Sequence, residues 1–252
     1  MNRFPLERLR ERGVLCLSVN NTAGWVPSTA FVCNDPCDKF SGGIFLDPKI
    51  IKFLPSPRAR RGSRLRLKGT DGVFRWLEKT SKEMPSTFFF SRDFEFSPET
   101  FLASATVNCG CNDRGRNITG WAKNIFTPNM AFKLLYYLGV KEVFCLGLDF
   151  QMQHGQPYAY LQKKHSGAVL SNNEKYVLAD KMFCALQPVF MDAGFHVFNV
   201  NETSGCTAFP YVPFSEALER CRNNVPPEPL DLSGYDETKN LVGEAATQAM
   251  LK

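Results

Sequence analysis

Asparagine and aspartate recur directly after short apolar runs in this chain, where such side chains can hydrogen-bond a ligand. Val19 is followed by Asn20 and Asn21, Val32-Cys33 by Asn34 and Asp35, Leu148 by Asp149, and Val200 by Asn201. Amides and carboxylates at strand ends can hold a base, a ribose or a sugar. The same residues also make ordinary turns, but four such junctions favour a ligand cleft. His165, in LQKKHSG, offers an imidazole able to act as a general base near neutral pH. Tyr158, in PYAYL, can present a hydroxyl to a phosphate leaving group. Thr127-Pro128-Asn129 has the capping hydroxyl and early proline of a helix start, a place that attracts anions. Thr203 and Ser204 open a turn of small residues, TSGCT, that can approach a ligand closely.

The elements that must position these groups follow from apolar spacing. Met130, Leu134, Leu135 and Leu138 recur at helical intervals, and Gly139 then supplies a left-handed cap. Val143 to Leu148 is an almost wholly apolar run of strand length, as expected of a parallel strand covered on both faces, and Asp149 stands at its carboxyl end. Residues 3–12 read as a short helix. Val14–Asn20, Thr29–Asn34, Ile50–Leu54, Ser86–Ser91 and Phe195–Val200 read as strands, and Glu174–Ala193 and Ser215–Asn223 as helices. The alternation predicts an α/β fold, a Rossmann-like mostly parallel sheet with helices on both faces. One domain is expected over 1–225, with a long loop or lid at 150–173 after the central strand and a basic loop at 55–70. Residues 226–252 form a peripheral tail.

At 252 residues and a net charge of +5, the composition is that of a soluble globular protein. The first residues, MNRFPLERLRERG, hold no apolar signal segment. No apolar run approaches the ~20 residues that span a bilayer. Nine cysteines without paired spacing point to a reducing, cytoplasmic setting with buried thiols. Cys33 with Cys37, or Cys109 with Cys111, lacks a second matching pair, so no metal site is expected. There is also no Walker loop and no GxGxxG. Arg58, Arg60, Arg61, Arg64, Arg66 and Lys68 fall within eleven residues. That cluster is a basic loop or hairpin edge, either a solvated insertion or a polyanion contact.

The run from Phe126 to Tyr160, FTPNMAFKLLYYLGVKEVFCLGLDFQMQHGQPYAY, resembles the core of the small, single-domain bacterial sialyltransferases. Their stretch has a helix start, an "LGxKEIYLxGxDF" strand and a "YAF" loop. The wider Rossmann-like superfamily includes the hydroxymethylpterin diphosphokinases and phage and bacterial relatives. The likeness is strongest over 126–165 and looser over 14–40 and 195–214. It implies an inverting, metal-independent transfer from a nucleotide-sugar donor, with no other cofactor. Asn20 or Asn21 then corresponds to the asparagine that contacts the nucleotide, and Thr127 to the residue at the helix start. Tyr158 corresponds to the tyrosine that helps the phosphate leave, and His165 to the histidine base. The family opens with a strand and a Gly-x-Gly-Pro-Ser-Leu turn, whereas Met1-Asn2-Arg3-Phe4-Pro5-Leu6 resembles the helix after that turn. The expectation is therefore either a sequence that starts past that turn or a member that has lost it. Gln151 also stands where the family has a tyrosine, so that part of the leaving-group stabilisation is absent or falls to Tyr160 or Tyr176.

On this basis Asn20, Asn21, Asn34, Asp35, Thr127, Asp149, Thr203 and Ser204 are expected to bind the nucleotide or substrate, and His165 and Tyr158 to act on it. The acceptor is a hydroxyl, on a glycan or on a modified DNA base presented unpaired. One rival is a diphosphokinase-type pyrophosphoryl transfer using Mg²⁺ on Asp35 and Asp149. The other is a phage nucleotide- or DNA-binding protein using Arg58, Arg60, Arg61, Arg64 and Arg66 on phosphates. A homo-oligomer would be unsurprising in a chain with this aromatic content.

Overall fold

The computed structural model describes residues 4–56, 63–69, 73–80, 83–93, 96–104, 107–108, 127–152 and 168–223. The chain falls into two compact units, Leu6–Ser91 with Cys221–Lys252, and Met1–Pro5 with Arg92–Arg220. Strands and helices are mixed, and the larger sheet is parallel throughout.

The first unit begins with a 3-10 helix at Leu6–Arg10 and then builds β1 (Leu17–Val19), β2 (Ala30–Val32) and a short α1 (Gly42–Leu46). β3 (Ile51–Pro55), β4 (Ser63–Lys68), β5 (Phe74–Lys79) and β6 (Thr87–Phe90) follow. The sheet order is β1-β2-β3-β6, with Phe31 beside Lys52 and Lys52 beside Thr87. Fully buried Phe31 anchors the core, its ring edge-on to Phe40 at 5.8 Å and to Phe45 at 5.6 Å. Cys33, Cys37, Ile44, Leu54 and Met84 close around them.

β4 and β5 make an antiparallel hairpin, so part of the span expected as a basic loop is strand. Leu65 and Leu67 alternate with Arg64, Arg66 and Lys68, which is the period of a half-buried strand. Leu65 is completely buried in the Phe31 core, with Leu77 packed beside it. Gly42 lets the hairpin close in: a Cβ there would stand 2.8 Å from both the Arg66 carbonyl oxygen and a Leu67 methyl.

The second unit holds β7 (Arg92–Asp93), β8 (Val107–Asn108), α2 (Thr127–Tyr137), β9 (Glu142–Cys145), α3 (Ala168–Asp192), β10 (His196–Asn199) and, as far as Arg220, α4 (Phe214–Asn223). β9 and β10 pair in parallel, Glu142 beside His196 through Cys145 beside Asn199. α2 ends as its sequence predicts, with Gly139 at φ +83° and the Val140 amide donating to the Leu135 carbonyl at 3.0 Å. β9 is shorter than the apolar run and is half-buried at each position, rather than covered on both faces. The chain bends at Leu146 and Gly147, where φ is +84°. α3 starts at Ala168, inside the span expected as loop. Asn172 and Asn173, which favour turns in isolation, serve its first turns and bind Met152 instead.

The interior of this unit is a cluster of phenylalanines. Phe132 meets Phe183, Phe190 and Phe209 edge-on at 5.4–5.9 Å, and Phe190 meets Phe195 at 5.1 Å. Beside them, Phe144 and Phe198 stack across the β9–β10 pair. The Arg220 guanidinium covers both of those rings and pairs with Glu142. Among the described residues, no helix is long and apolar enough to cross a membrane.

Lys52 is the one fully buried cation among the described residues of the first unit. Its ammonium donates to the Asp47 carbonyl at 2.6 Å. Burial pulls its pKa from 10.5 down to about 8, against the pull of the Asp47 carboxylate. Between these values the unfolded chain holds a proton that the folded lysine has lost, so this site's contribution to stability rises with pH. Lys52→Met, which removes the buried charge, should be more stable than the parent at pH 7. Denaturation midpoints should show that advantage shrinking from pH about 8 to 10.5. A pH-independent difference would remove the lysine's titration from the account.

Candidate functional site

In the first unit the predicted residues stand at the carboxyl ends of β1 and β2. After Val19 the chain tightens into a 3-10 helix, Asn20–Gly24. The Thr22 hydroxyl fixes this turn by accepting from the Val19 amide at 3.1 Å and donating to the Val19 carbonyl at 2.5 Å. Asn20 is thereby held at φ +57°, a left-handed conformation that asparagine tolerates better than most residues. Its side-chain Oδ1 is buried without a hydrogen-bond partner. Desolvating an amide oxygen unpaired costs about 1–3 kcal/mol, so the position is set to accept a bond from something further. Asn21 and Asn34 are half-buried nearby in sequence, and Asp35 forms an ion pair with Lys39 at 2.8 Å.

In the second unit the carboxyl ends of β9 and β10 are knotted to each other. Asn201 donates to Asp149 Oδ1 at 2.6 Å and accepts from the Thr203 amide and hydroxyl at 3.2 and 3.1 Å. The Ser204 hydroxyl donates to the Leu148 carbonyl at 2.5 Å, and Asn199 reaches the same carbonyl at 3.1 Å. The Gly205 amide donates to the Asp149 carbonyl at 2.7 Å, and Gln151 donates to the Thr203 carbonyl at 2.6 Å. A Cβ on Gly205 would stand 3.0 Å from the Phe150 carbonyl oxygen, so the two turns touch backbone to backbone. Asp149, Thr203 and Ser204 are thus brought together around Asn201, the residue that follows Val200. Gln151 takes a structural role here.

Thr127 starts α2 and is buried. Two residues on, Asn129 is completely buried, with its Oδ1 unpartnered and its Nδ2 3.2 Å from the Met182 sulfur. Sequence reasoning used Asn129 only as a boundary. An amide inside the otherwise apolar NMAFKLL run was the signal for it. Phe150, at φ +50°, stacks between Tyr176 and Phe183 at 5.3 and 5.4 Å, which seats the chain leaving β9.

His165, Tyr158, Tyr160, Arg58, Arg60 and Arg61 lie outside the described residues. Arg64 and Arg66 lie on β4, exposed, over the rings of Trp76 and Phe74. The thiols are poor nucleophiles where they are shielded: burial pushes Cys206 up to about 12 and also raises Cys145. An apolar cleft of about 150 Å³, lined by Phe190, Phe195, Val197 and Phe209, borders β10 with no carboxylate in its lining. Among the described residues, no three His, Cys, Asp or Glu side chains are grouped to hold a metal ion.

The knot at Asn201 can be tested by charge. Asn201→Ala removes three hydrogen bonds and should cost about 1–2 kcal/mol in urea unfolding. Asn201→Asp sets a second carboxylate against Asp149 and should cost more than alanine at pH 7. Equal costs for the two variants at pH 7 would place the Asp149 carboxylate away from this contact. Compared with family models, with curated proteins and with solved structures, the chain matches none.

Proposed function

We propose that this chain is a nucleotide-sugar-dependent, inverting glycosyltransferase on a Rossmann-like, sialyltransferase-like scaffold. The observation that carries the reading is the Asn20 amide: a buried, partnerless oxygen, held in left-handed backbone, at the carboxyl end of a parallel strand. Ligands of open α/β sheets bind at that edge, and a ribose hydroxyl or an exocyclic amine supplies the missing donor. Asn20 is also, with Asn21, one of the two positions that the family resemblance offers for the nucleotide contact. What supports a reducing, cytoplasmic setting is that the seven described cysteines are all free thiols.

In this reaction the acceptor oxygen attacks the anomeric carbon from the face opposite the nucleotide. The bond to the donor phosphate breaks, and the nucleotide departs with that bond's electron pair. His165 takes the acceptor proton as the new glycosidic bond forms, and the Tyr158 hydroxyl donates to the departing phosphate. The roles of His165 and Tyr158 rest on the resemblance of the 126–165 segment.

Ligand-observed NMR against CMP, UDP, GDP, ADP and their sugar conjugates, with and without Mg²⁺, tests the reading directly. Selective, metal-independent binding of one nucleotide is expected. Asn20→Gly keeps the left-handed backbone unstrained and removes only the amide, so it should weaken that nucleotide about tenfold without loss of stability. Unchanged affinity would take Asn20 out of the site, and strict Mg²⁺ dependence would favour pyrophosphoryl transfer. His165→Ala should lower turnover by about 10²–10⁴ while leaving donor affinity in place. Unaltered turnover would remove His165 from the chemistry.

A further inference from the structure

The outer face of the β4–β5 hairpin carries a feature that the transferase reading does not use. Side chains alternate along both strands, so the hairpin has one face turned inward through Leu65 and Leu77 and one turned outward. Outward stand Arg64, Arg66 and Lys68 from β4, with Phe74, Trp76 and Glu78 from β5, all exposed. Trp76 keeps 50% and Phe74 54% of its surface in solvent. Large aromatics at that exposure are unusual on a strand whose other face already fills a core.

The register makes a repeat of these residues. Arg66 is directly opposite Trp76 and Lys68 opposite Phe74. The guanidinium of Arg64 lies 4.8 Å from the centre of the Trp76 ring, and that of Arg66 4.9 Å from the centre of Phe74. Each cation is therefore held over an aromatic on the diagonal, and the pair recurs after two residues, about 6.7 Å along the strand. Glu78, opposite Arg64, is the only acid among the described residues of this face, and the three cations outnumber it.

We propose that this face binds single-stranded nucleic acid. Exposed rings with cations held against them match a polymer whose bases offer π-faces and whose linkages offer one negative charge each. A duplex hides its base faces in the stack and would leave Trp76 and Phe74 without a partner. A purely anionic polymer would use the arginines and leave the rings in water. The two-residue repeat lets successive nucleotides of an extended strand meet successive Arg–aromatic pairs. The proposal stands independently of the transferase reading, since none of the six residues on this face belongs to the donor site.

The test is fluorescence anisotropy of a labelled oligo-dT of twelve nucleotides with the full chain, from about 50 to 200 mM salt, beside a duplex of equal length and heparin as competitor. Binding to the single strand in preference to both is expected. Phe74→Ala with Trp76→Ala, both at exposed positions, should weaken it at least tenfold and leave the salt slope unchanged, and Trp76→Phe should restore part of the loss. Arg64→Gln with Arg66→Gln should reduce the slope of log K against log salt by about 1.4. No binding to the single strand would overturn the proposal. So would equal binding to duplex or heparin, or affinity indifferent to loss of the two rings, because each describes adsorption to charge alone.

Discussion

Parallel strand pairing is the constraint from which the rest of this architecture follows. A parallel pair cannot be closed by a tight turn, so successive strands of β1-β2-β3-β6, and likewise β9 and β10, must be joined by crossing segments. The carboxyl ends within each sheet then lie on one edge, with amides and carbonyls emerging together and needing partners. The two units answer this need differently. At β9 and β10 the partners are internal, with Asn201, Asn199 and Ser204 tying the two turns through Asp149 and Leu148. At β1 the turn is tied by Thr22, and the Asn20 amide is left over.

That contrast separates scaffold from candidate site in chemical terms. A network in which donors and acceptors already meet keeps its geometry with or without a ligand, and it resists rearrangement because each member is fixed by another. An amide oxygen buried alone costs free energy until a donor arrives. Both orphaned amides among the described residues, Asn20 and Asn129, sit at element boundaries. One follows a parallel strand and the other lies in the first turn of α2. Lys52 is the converse case, a charge enclosed near the start of β3 and satisfied by a backbone carbonyl.

Much of the scaffold was legible because periodicity survives without tertiary information. α2 with its glycine stop, the strands at Leu17–Val19, Ala30–Val32, Ile51–Pro55 and Thr87–Phe90, and the parallel β9 and β10 all follow from apolar spacing. β5 did not show, because Phe74 and Trp76 point outward while Leu77 points inward, so its apolar residues occupy both faces and alternate with nothing. For β4 a composition dominated by arginines leaves loop and hairpin edge both open, although Leu65 and Leu67 already carry the strand period that decides for the hairpin. At the site, residue types foretold that Asp149, Thr203 and Ser204 stand at strand ends. That Asp149 bonds Asn201, fifty-two residues away, is set by the register of β9 on β10. No local pattern could supply it.

The phenylalanine interior of the second unit has a dynamic consequence. Phe132 presents edges to Phe183, Phe190 and Phe209, and Phe190 in turn abuts Phe101 and Phe195. In close-packed surroundings a ring can rotate by half a turn only while its neighbours withdraw. Rotation of any one of these rings is therefore gated by a collective expansion of the cluster. The interior of this unit breathes as one body, on a timescale set by the slowest interlocked ring and not by the freest.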